Sequence, residues 1–342
     1  MEISLHRDGS SNWKEKDMNP EFTCGFATII KEFIEVKIAS GHPYDSSTAI
    51  LRRFDRMVKE RFPASSTITQ EISDAWITMN PDESPNTLLR RITPVRQLAK
   101  YMNAAGIQAY IIPGHIPEKY IQYEAHIFTG RELKAFFSAI DGCGASKTNP
   151  LLPYVVTVYF RMVFFCGMRG SEARCLSVDD VNLETGRITI RASKGWKART
   201  VFMSEDLLKT CCLYDGLMSK LCPGRTAFFP KPNGQFYSRR MPDQWFHKFW
   251  DPLPEAKCIS GNPPRVHDLR HTYATTRINE WVKEGKDLNV LYPYISEYMG
   301  HSQYASTDYY LQLGPAFYPE LNHRMRSVDE SILPEVTDDE ES

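Results

Sequence analysis

Apolar side chains recur every three or four positions over much of the first hundred residues, which is the period of one face of an α-helix. Over residues 47–62 the repeat is carried by Leu51, Phe54, Val58 and Phe62. The same spacing predicts two further helices, over residues 69–79 and 86–105. Residues 1–20 lack the pattern and are expected to be flexible. We therefore predict a flexible N-terminus followed by a helical domain over residues 21–106.

The helical period is interrupted over residues 107–126, where prolines and a glycine favour turns, so this segment is predicted to be a linker. The period returns over residues 129–141 and 151–166, which are predicted to be helices. Short runs bounded by turn residues then predict three antiparallel strands in a meander. These strands are expected over residues 177–181, 187–191 and 198–203.

The last third of the chain returns to the helical pattern, with two helices and a loop expected over residues 265–313. A narrow apolar stripe in residues 316–328 predicts one more short helix. Its members are Phe317, Leu321 and Met325. We therefore predict a second domain over residues 127–328 and a disordered acidic tail over residues 329–342. The fold class is mostly α with a small antiparallel β-meander, in two domains.

The charge of the chain is unevenly distributed. The 342 residues carry a net charge of −1, but seven acids and no bases lie in residues 329–342. The remainder has 41 bases against 35 acids (the total of 42 less those seven), which is a net charge of +6. Four bases line the polar side of the predicted helix over residues 47–62: Arg52, Arg53, Arg56 and Lys59. They form either a solvated face or a face that follows DNA phosphates.

The cysteines, the N-terminus and the apolar runs indicate in which cellular compartment the protein is expected. The eight cysteines include no CxxC pair and no Cys/His spacing suited to zinc, which favours a reducing cytoplasm and predicts no metal site. The N-terminus is too polar for a signal peptide. The longest apolar run, residues 151–168, is broken by Arg161, so it predicts a buried helix and no membrane span.

Six polar residues of the second domain form an ordered set suited to phosphodiester chemistry: Arg169, Lys194, His267, Arg270, His301 and Tyr310. Arginine offers a planar fork of donors to a phosphate, histidine moves protons near neutral pH, and an activated tyrosine can attack phosphorus. Arg169 follows a glycine turn and precedes Ser171, a residue suited to cap a helix. Lys194 lies on the turn between the second and third predicted strands.

Each of these residues alone is more often structural or simply solvated, and the neighbouring tyrosines are also consistent with an aromatic packing stripe. Together and in order, they resemble the tyrosine recombinase (phage integrase) family. The resemblance is carried by Gly-Met-Arg-Gly-Ser-Glu at 167–172, His-Asp-Leu-Arg-His at 267–271, and Met-Gly-His-Ser followed by Asp-Tyr-Tyr at 299–310. The offset of nine residues from His301 favours Tyr310 over Tyr309 as the nucleophile.

The resemblance implies a SAM-like helical core-binding domain, a tyrosine-recombinase catalytic domain and a role for each site residue. Tyr310 would form a 3′-phosphotyrosyl bond, and Arg169 with Arg270 would hold the non-bridging oxygens. Lys194 would protonate the leaving 5′-hydroxyl and His267 would take the proton from the tyrosine. His301 would orient the phosphate, and Glu172 would support the site without touching the substrate. No metal, ATP or other cofactor is implied.

The resemblance also implies the partners. These are a double-stranded DNA recombination site and three further subunits, either copies of the chain or sister recombinases, in a tetramer on two sites. The expected reaction is DNA integration and excision by a mobile element. The expected location is the cytoplasm, at the bacterial nucleoid when DNA is bound, with no membrane partner.

Three alternatives remain open from the sequence. A type IB topoisomerase shares the catalytic set, although the small helical first domain and the chain length favour a recombinase. A non-catalytic DNA-binding relative is the second alternative, and the complete polar set argues against it. A helical interaction protein of another class would leave the polar set unexplained.

Overall fold

The computed structural model describes residues 22–41, 44–78, 83–117, 123–145, 147–191, 198–259 and 261–300. The chain divides into two compact units, one ending at Gln122 and the other beginning at Tyr123. Several sequence predictions lie outside the described residues. They concern residues 1–20, Lys194, His301, Tyr309, Tyr310, the helix over 316–328 and the acidic tail.

The described part of the first unit is helical. Its helices are α1 (Ala27–Ala39), α2 (Asp45–Arg61), α3 (Gln70–Ile77) and α4 (Pro85–Ala104). They share one hydrophobic cluster that includes Ile30, Phe54, Ile72 and Val95. α4 begins where the Ser84 hydroxyl accepts a hydrogen bond from the Thr87 N–H at 3.2 Å. Pro94 lies inside α4 without ending it.

Helix α2 presents the predicted apolar stripe to this core. Leu51, Phe54 and Val58 are fully buried, while Phe62 follows the last helical residue and is half-buried. The sequence did not predict that Asp55 is also buried on this face. Its carboxylate accepts the backbone N–H of Cys24 at 2.9 Å, so it fixes the start of the described chain to α2.

The residues after α4 pack against the first unit up to Pro117. Ala109 and Ile112 are buried in its cluster. The Arg96 guanidinium on α4 donates to the carbonyls of Ile112 at 2.8 Å, Pro113 at 2.7 Å and Ile116 at 2.9 Å. One side chain therefore satisfies three carbonyls of a segment that has no helical or strand partner.

The described part of the second unit is mainly helical with one small sheet. Its helices are α5 (Gly130–Asp141), α6 (Leu152–Phe165), α7 (Gly170–Arg174), α8 (Glu205–Leu221), α9 (Met241–Trp250), α10 (Val266–Lys283) and α11 (Leu288–Met299). The antiparallel sheet has the order β1 (Val181–Asn182), β2 (Arg187–Ile190), β3 (Arg199–Phe202), with Ile188 opposite Val201. The predicted fold class, helices with a small antiparallel meander, is confirmed.

Helix α6 is the predicted apolar helix and lies in the main cluster of this unit. Val155, Tyr159 and Phe160 on it are fully buried. No helix in the described part of the chain is long and apolar enough to cross a lipid bilayer. A smaller, separate cluster joins α10 to α11, with Ala274, Ile278, Val282, Ile295 and Met299 buried.

The prediction of a strand over residues 177–181 is wrong except at its last residue. Val178–Asp180 forms a 3₁₀ turn, and β1 begins only at Val181. The Asp180 carboxylate accepts both the backbone N–H of Ser177, at 2.9 Å, and its hydroxyl, at 2.7 Å. This local hydrogen bonding folds the segment into a turn and competes with strand pairing.

Candidate active site

Arg169 lies in the turn that connects α6 to α7. Gly167 makes the turn with φ +57°, and a Cβ atom there would lie 2.5 Å from the Tyr273 ring. Arg169 then occupies the position before the first residue of α7. A glycine is needed at the turn for two reasons, since both the left-handed backbone and the contact with Tyr273 exclude a side chain.

Glu172, and not the predicted Ser171, closes the start of α7. Its carboxylate accepts the Arg169 backbone N–H at 2.8 Å and the Arg169 Nη1 at 2.7 Å. Arg199 on β3 donates to both oxygens of the same carboxylate, at 2.8 and 2.7 Å. Arg270 Nη1 lies 4.0 Å from it. Three guanidinium groups therefore surround one buried carboxylate, and a serine hydroxyl could not accept from all of these donors.

Helix α10 supplies His267 and Arg270, which are three residues apart and therefore lie on one face. The helix starts where Asp268 accepts the backbone N–H of Arg265 at 2.9 Å. Tyr123 also donates its hydroxyl to Asp268, at 2.7 Å. Burial raises the pKa of Asp268, while these two donors oppose that shift. The first turn of α10 is therefore fixed by groups outside the helix.

The three arginines also bind the carbonyl end of α11, by which we mean the carbonyls of Tyr298, Met299 and Gly300. Arg199 Nε donates to Tyr298 at 2.8 Å. Arg270 donates to Met299 and also to Gly167, the latter at 2.7 Å. Arg169 Nη2 donates to Gly300 at 2.9 Å.

These carbonyls have no partner within their own helix, and the helix dipole makes this end negative. Gly300 takes φ +64°, which ends α11 in the left-handed conformation common after helices. The carbonyl end of α11 is therefore held by positive charge from β3, α10 and the turn before α7.

Arg169, Arg199, Arg270 and Glu172 form the arginine cluster of the site, and its charges do not cancel. Three guanidinium groups and one carboxylate leave a surplus of two positive charges. Burial raises the pKa of Glu172, but hydrogen bonds and charge from Arg199, with further help from Arg169 and Arg270, lower it to about 2. The carboxylate is thus ionised at every physiological pH, so these four side chains together carry two net positive charges.

His267 is kept neutral in this environment. Burial, followed by the positive charges of Arg270 and Arg169, lowers the pKa of its imidazole to about 3. The ring lies edge-to-face against His271, with 4.8 Å between the ring centres. A neutral imidazole keeps a ring nitrogen that can accept a hydrogen bond or a proton, while burial and the two arginines oppose its protonation.

The structure brings together four of the residues singled out from the sequence: Arg169, Glu172, His267 and Arg270. Arg270 is fully buried there. Arg52, Arg53, Arg56 and Lys59 are exposed on α2, in the first unit. Within the described ranges, no three His, Cys, Asp or Glu side chains are grouped so that they could hold a metal ion.

Arg199 was missed from the sequence. Val201 is buried on β3 while Thr200 and Phe202 are exposed, so alternation puts Arg199 on the inward face of the strand. A charged residue on the inward face of a strand signals a buried partner. Its partners lie 27 and 99 residues away, which is why local patterns did not identify them.

The chain is similar to known proteins in both sequence and fold. The sequence model of the Phage integrase family matches residues 128–316. A Sinorhizobium fredii integrase/recombinase, y4rB, is 25% identical over 310 residues, which cover 88% of this chain and 96% of that protein.

Two solved structures share the fold. The Tn1549 transposon integrase in complex with transposon right end DNA has a TM-score of 0.61 at 15% identity, covering 90% of this chain and 99% of that one. The XerH site-specific recombinase bound to palindromic difH substrate has a TM-score of 0.58 at 18% identity, covering 89% and 86%. Since the family match spans more than half of the chain and includes the arginine cluster, the protein belongs to the phage integrase family of tyrosine recombinases.

Proposed function

We propose that this protein is a site-specific recombinase that cuts and rejoins double-stranded DNA through a 3′-phosphotyrosyl intermediate on Tyr310. The observation that carries the proposal is the convergence of Arg169, Arg270 and His267 around Glu172 from two segments that are distant in the sequence. Family membership supports DNA strand cleavage and rejoining in general, and the arrangement of these side chains supports the specific chemistry.

In the proposed reaction, the Tyr310 oxygen attacks the scissile phosphorus as His267 takes its proton. The bond from phosphorus to the 5′-oxygen breaks, and Lys194 gives that oxygen a proton. Arg169 and Arg270 stabilise the charge that builds on the non-bridging oxygens, and His301 donates a hydrogen bond to one of them. In the second step, a 5′-hydroxyl from the partner strand displaces the tyrosine.

The proposed reaction needs neither a metal ion nor ATP. The surplus of two positive charges around Glu172 supplies the neutralisation that magnesium provides in many phosphoryl transfers. Each step exchanges one phosphodiester for another, so the energy of the broken bond is retained in the phosphotyrosine.

The proposed partner is a double-stranded DNA recombination site, with four subunits, copies or sister recombinases, acting on two such sites. The structural relatives are described as bound to transposon-end or difH DNA, which supports a DNA partner. We assign phosphate contacts in the first unit to Arg52, Arg53, Arg56 and Lys59, because all four are exposed on one helix. Movement of a mobile element is the expected biological outcome.

The test is covalent attachment to DNA. A cognate site is first selected from a duplex library with the Tyr310→Phe variant, which keeps its binding surface but lacks the proposed nucleophile. The wild type is then incubated with a nicked version of that site in excess chelator, and denaturant-resistant protein–DNA adducts are counted. The matched control is Tyr309→Phe, which removes the adjacent hydroxyl.

We expect adducts from the wild type and from Tyr309→Phe, and none from Tyr310→Phe. Adducts from Tyr310→Phe but not Tyr309→Phe would show that the nucleophile is misassigned. Dependence on added magnesium would contradict the proposed charge neutralisation. Relaxation of plasmids without the selected site, at the rate seen with it, would favour a topoisomerase.

A further inference from the structure

We propose that Arg199 is a positioning residue for DNA cleavage, because it links the carboxylate of Glu172 to the carbonyl end of α11. This proposal rests on the proposed function and deepens it. Arg199 would not touch the DNA. It would set the orientation of Arg169 through Glu172 and hold the end of the helix that leads directly to His301.

The first link is the double hydrogen bond to Glu172. Arg199 Nη1 and Nη2 each donate to one carboxylate oxygen, at 2.8 and 2.7 Å. A two-point contact of this kind fixes both the position and the plane of the carboxylate. The same two oxygens accept Arg169 Nη1 and the Arg169 backbone N–H. The position of the Arg169 guanidinium therefore depends on the carboxylate that Arg199 holds.

The second link is to α11. Arg199 Nε donates to the Tyr298 carbonyl at 2.8 Å. The Arg199 side chain also fills the space beside Gly300, because a Cβ atom built there would lie 3.1 Å from Arg199 Nη1. Arg199 therefore packs on the backbone of the turn that ends α11, and this turn immediately precedes His301.

The hydrogen bonds that Arg199 already makes weaken the alternative that it binds a phosphate directly. Its side chain is only 7% exposed, and three of its N–H directions are committed to Glu172 and Tyr298. Arg169 is more accessible, with 18% of its side chain exposed. Because both terminal nitrogens of Arg199 are bound to the Glu172 carboxylate, we expect it to act on the reaction through the groups it holds.

The experiment compares Arg199→Gln and Arg199→Lys with a matched control, Arg225→Gln. Arg225 is also a buried arginine that pairs with a carboxylate, Asp215, and donates to a carbonyl, Phe228, at 2.9 Å. The structure shows no contact from Arg225 to Glu172 or α11 among the described residues. We therefore expect Arg225→Gln to lower the stability of the fold by a similar amount without changing the contacts of Glu172 or α11.

Three quantities are measured on each full-length variant: the Kd for a half-site, the single-turnover rate of covalent attachment per binding-competent molecule, and hydrogen exchange of the peptide covering residues 288–300. We expect Arg199→Gln to bind the half-site within about threefold of wild type but to attach about 10- to 100-fold more slowly, the scale of a misplaced reacting group. Exchange at the last turn of α11 should rise, since its carbonyl partner is lost.

Arg199→Lys should recover part of the attachment rate, because it keeps the charge but loses the two-point contact. It also carries the test if Arg199→Gln does not fold. Arg225→Gln should attach at the wild-type rate per competent molecule, with unchanged exchange in α11.

Equal attachment rates for Arg199→Gln and Arg225→Gln, or unchanged exchange in α11, would overturn the proposal. Loss of half-site binding by Arg199→Gln alone would overturn it too, because Arg199 would then serve DNA binding. Absence of any adduct from the wild type would instead contradict the proposed function. The exchange measurement would then decide the role of Arg199 by itself.

Discussion

At the scale of single residues, Glu172 is the centre of the site because every arginine of the cluster is arranged around it. A buried carboxylate among guanidinium groups gains Coulomb energy but loses hydration, so its net contribution to stability is small when all partners are present. Removing only the carboxylate is different, since the buried positive charges then lose their counterion.

We expect Glu172→Gln to lower the free energy of unfolding by about 3–5 kcal/mol at pH 7, the cost of breaking a buried ion pair. Urea denaturation would measure it. The matched control is Asp141→Asn, whose partner Arg161 is near the surface and whose own side chain is 47% exposed, with an expected cost below about 1 kcal/mol. Similar losses of unfolding free energy in Glu172→Gln and Asp141→Asn would contradict the proposal that Glu172 is the counterion on which the buried arginines depend.

The pH dependence of this difference has a definite sign. The carboxyl of Glu172 has a pKa of about 2 when folded, against an ordinary value of 4.5. Its contribution is therefore complete above pH 4.5 and is lost as the pH falls toward 2. The stability difference between wild type and Glu172→Gln should shrink over that window and stay constant from pH 5 to 8.

Sequence patterns identified four residues of the cluster because each lies in a short motif with a glycine turn or a helical spacing around it. Arg199 has no such motif. Its role depends on Glu172 and Tyr298, which only folding brings near, so no window of neighbouring residues contains the information. For the same reason the sequence did not predict the full burial of Arg270. Its guanidinium donates to the carbonyls of Gly167 and Met299, which are distant from it in the sequence.

At the scale of elements, the turn between α6 and α7 is the narrowest fit in the site. Gly167→Ala should cost roughly 2–5 kcal/mol, from the left-handed backbone and the overlap with Tyr273. Gly106→Ala is the control, since Gly106 also has positive φ, +80°, but nothing within 4 Å. Its cost should be about 1–2 kcal/mol.

Gly167→Ala should also slow covalent attachment, because the Gly167 carbonyl holds Arg270. Denaturation and single-turnover assays on both variants would measure these effects. Equal losses of stability in Gly167→Ala and Gly106→Ala would mean that the Tyr273 ring moves away from the new methyl group without cost.

Helix α2 gives a second prediction at this scale. Arg52→Gln/Arg53→Gln/Arg56→Gln should weaken half-site binding and reduce the slope of log K against log salt by about one per lost phosphate contact. The control variant carries Lys209→Gln, Lys220→Gln and Lys248→Gln, three exposed bases of the second unit. An equal change of slope in both variants would point to general electrostatics and leave α2 without a special role.

Elements were predictable where local signals agree. The helix expected over residues 86–105 is observed as Pro85–Ala104, because an apolar stripe and the Ser84 cap mark it. The failed strand at 177–181 shows the opposite case. Its valines, Val178 and Val181, are residues common in strands, but the hydrogen bonds from Ser177 to Asp180 close a turn there.

At the scale of the whole molecule, the predicted helix over residues 316–328 lies outside the described residues and remains a prediction. We expect truncation after Gly314 to leave half-site binding unchanged. Assembly of two sites should fail, because the apolar stripe of Phe317, Leu321 and Met325 would normally pack on a neighbouring subunit. Gel-shift assays with one and two sites would test this. Recombination at the full rate by the truncated protein would show that the helix makes no subunit contact.

The separate cluster between α10 and α11 has a consequence for engineering. The turn between these helices is exposed, and Gly285 lies in it with φ +74°. A chain divided there would leave all three arginines on one fragment and the carbonyl end of α11, with Tyr310, on the other. Among the described residues this cluster has five buried side chains, and we expect so small a cluster to be too weak to reunite dilute fragments unaided. Fusing each fragment to one half of a drug-induced dimeriser would make the enzyme inducible, with recombination switched on by a small molecule.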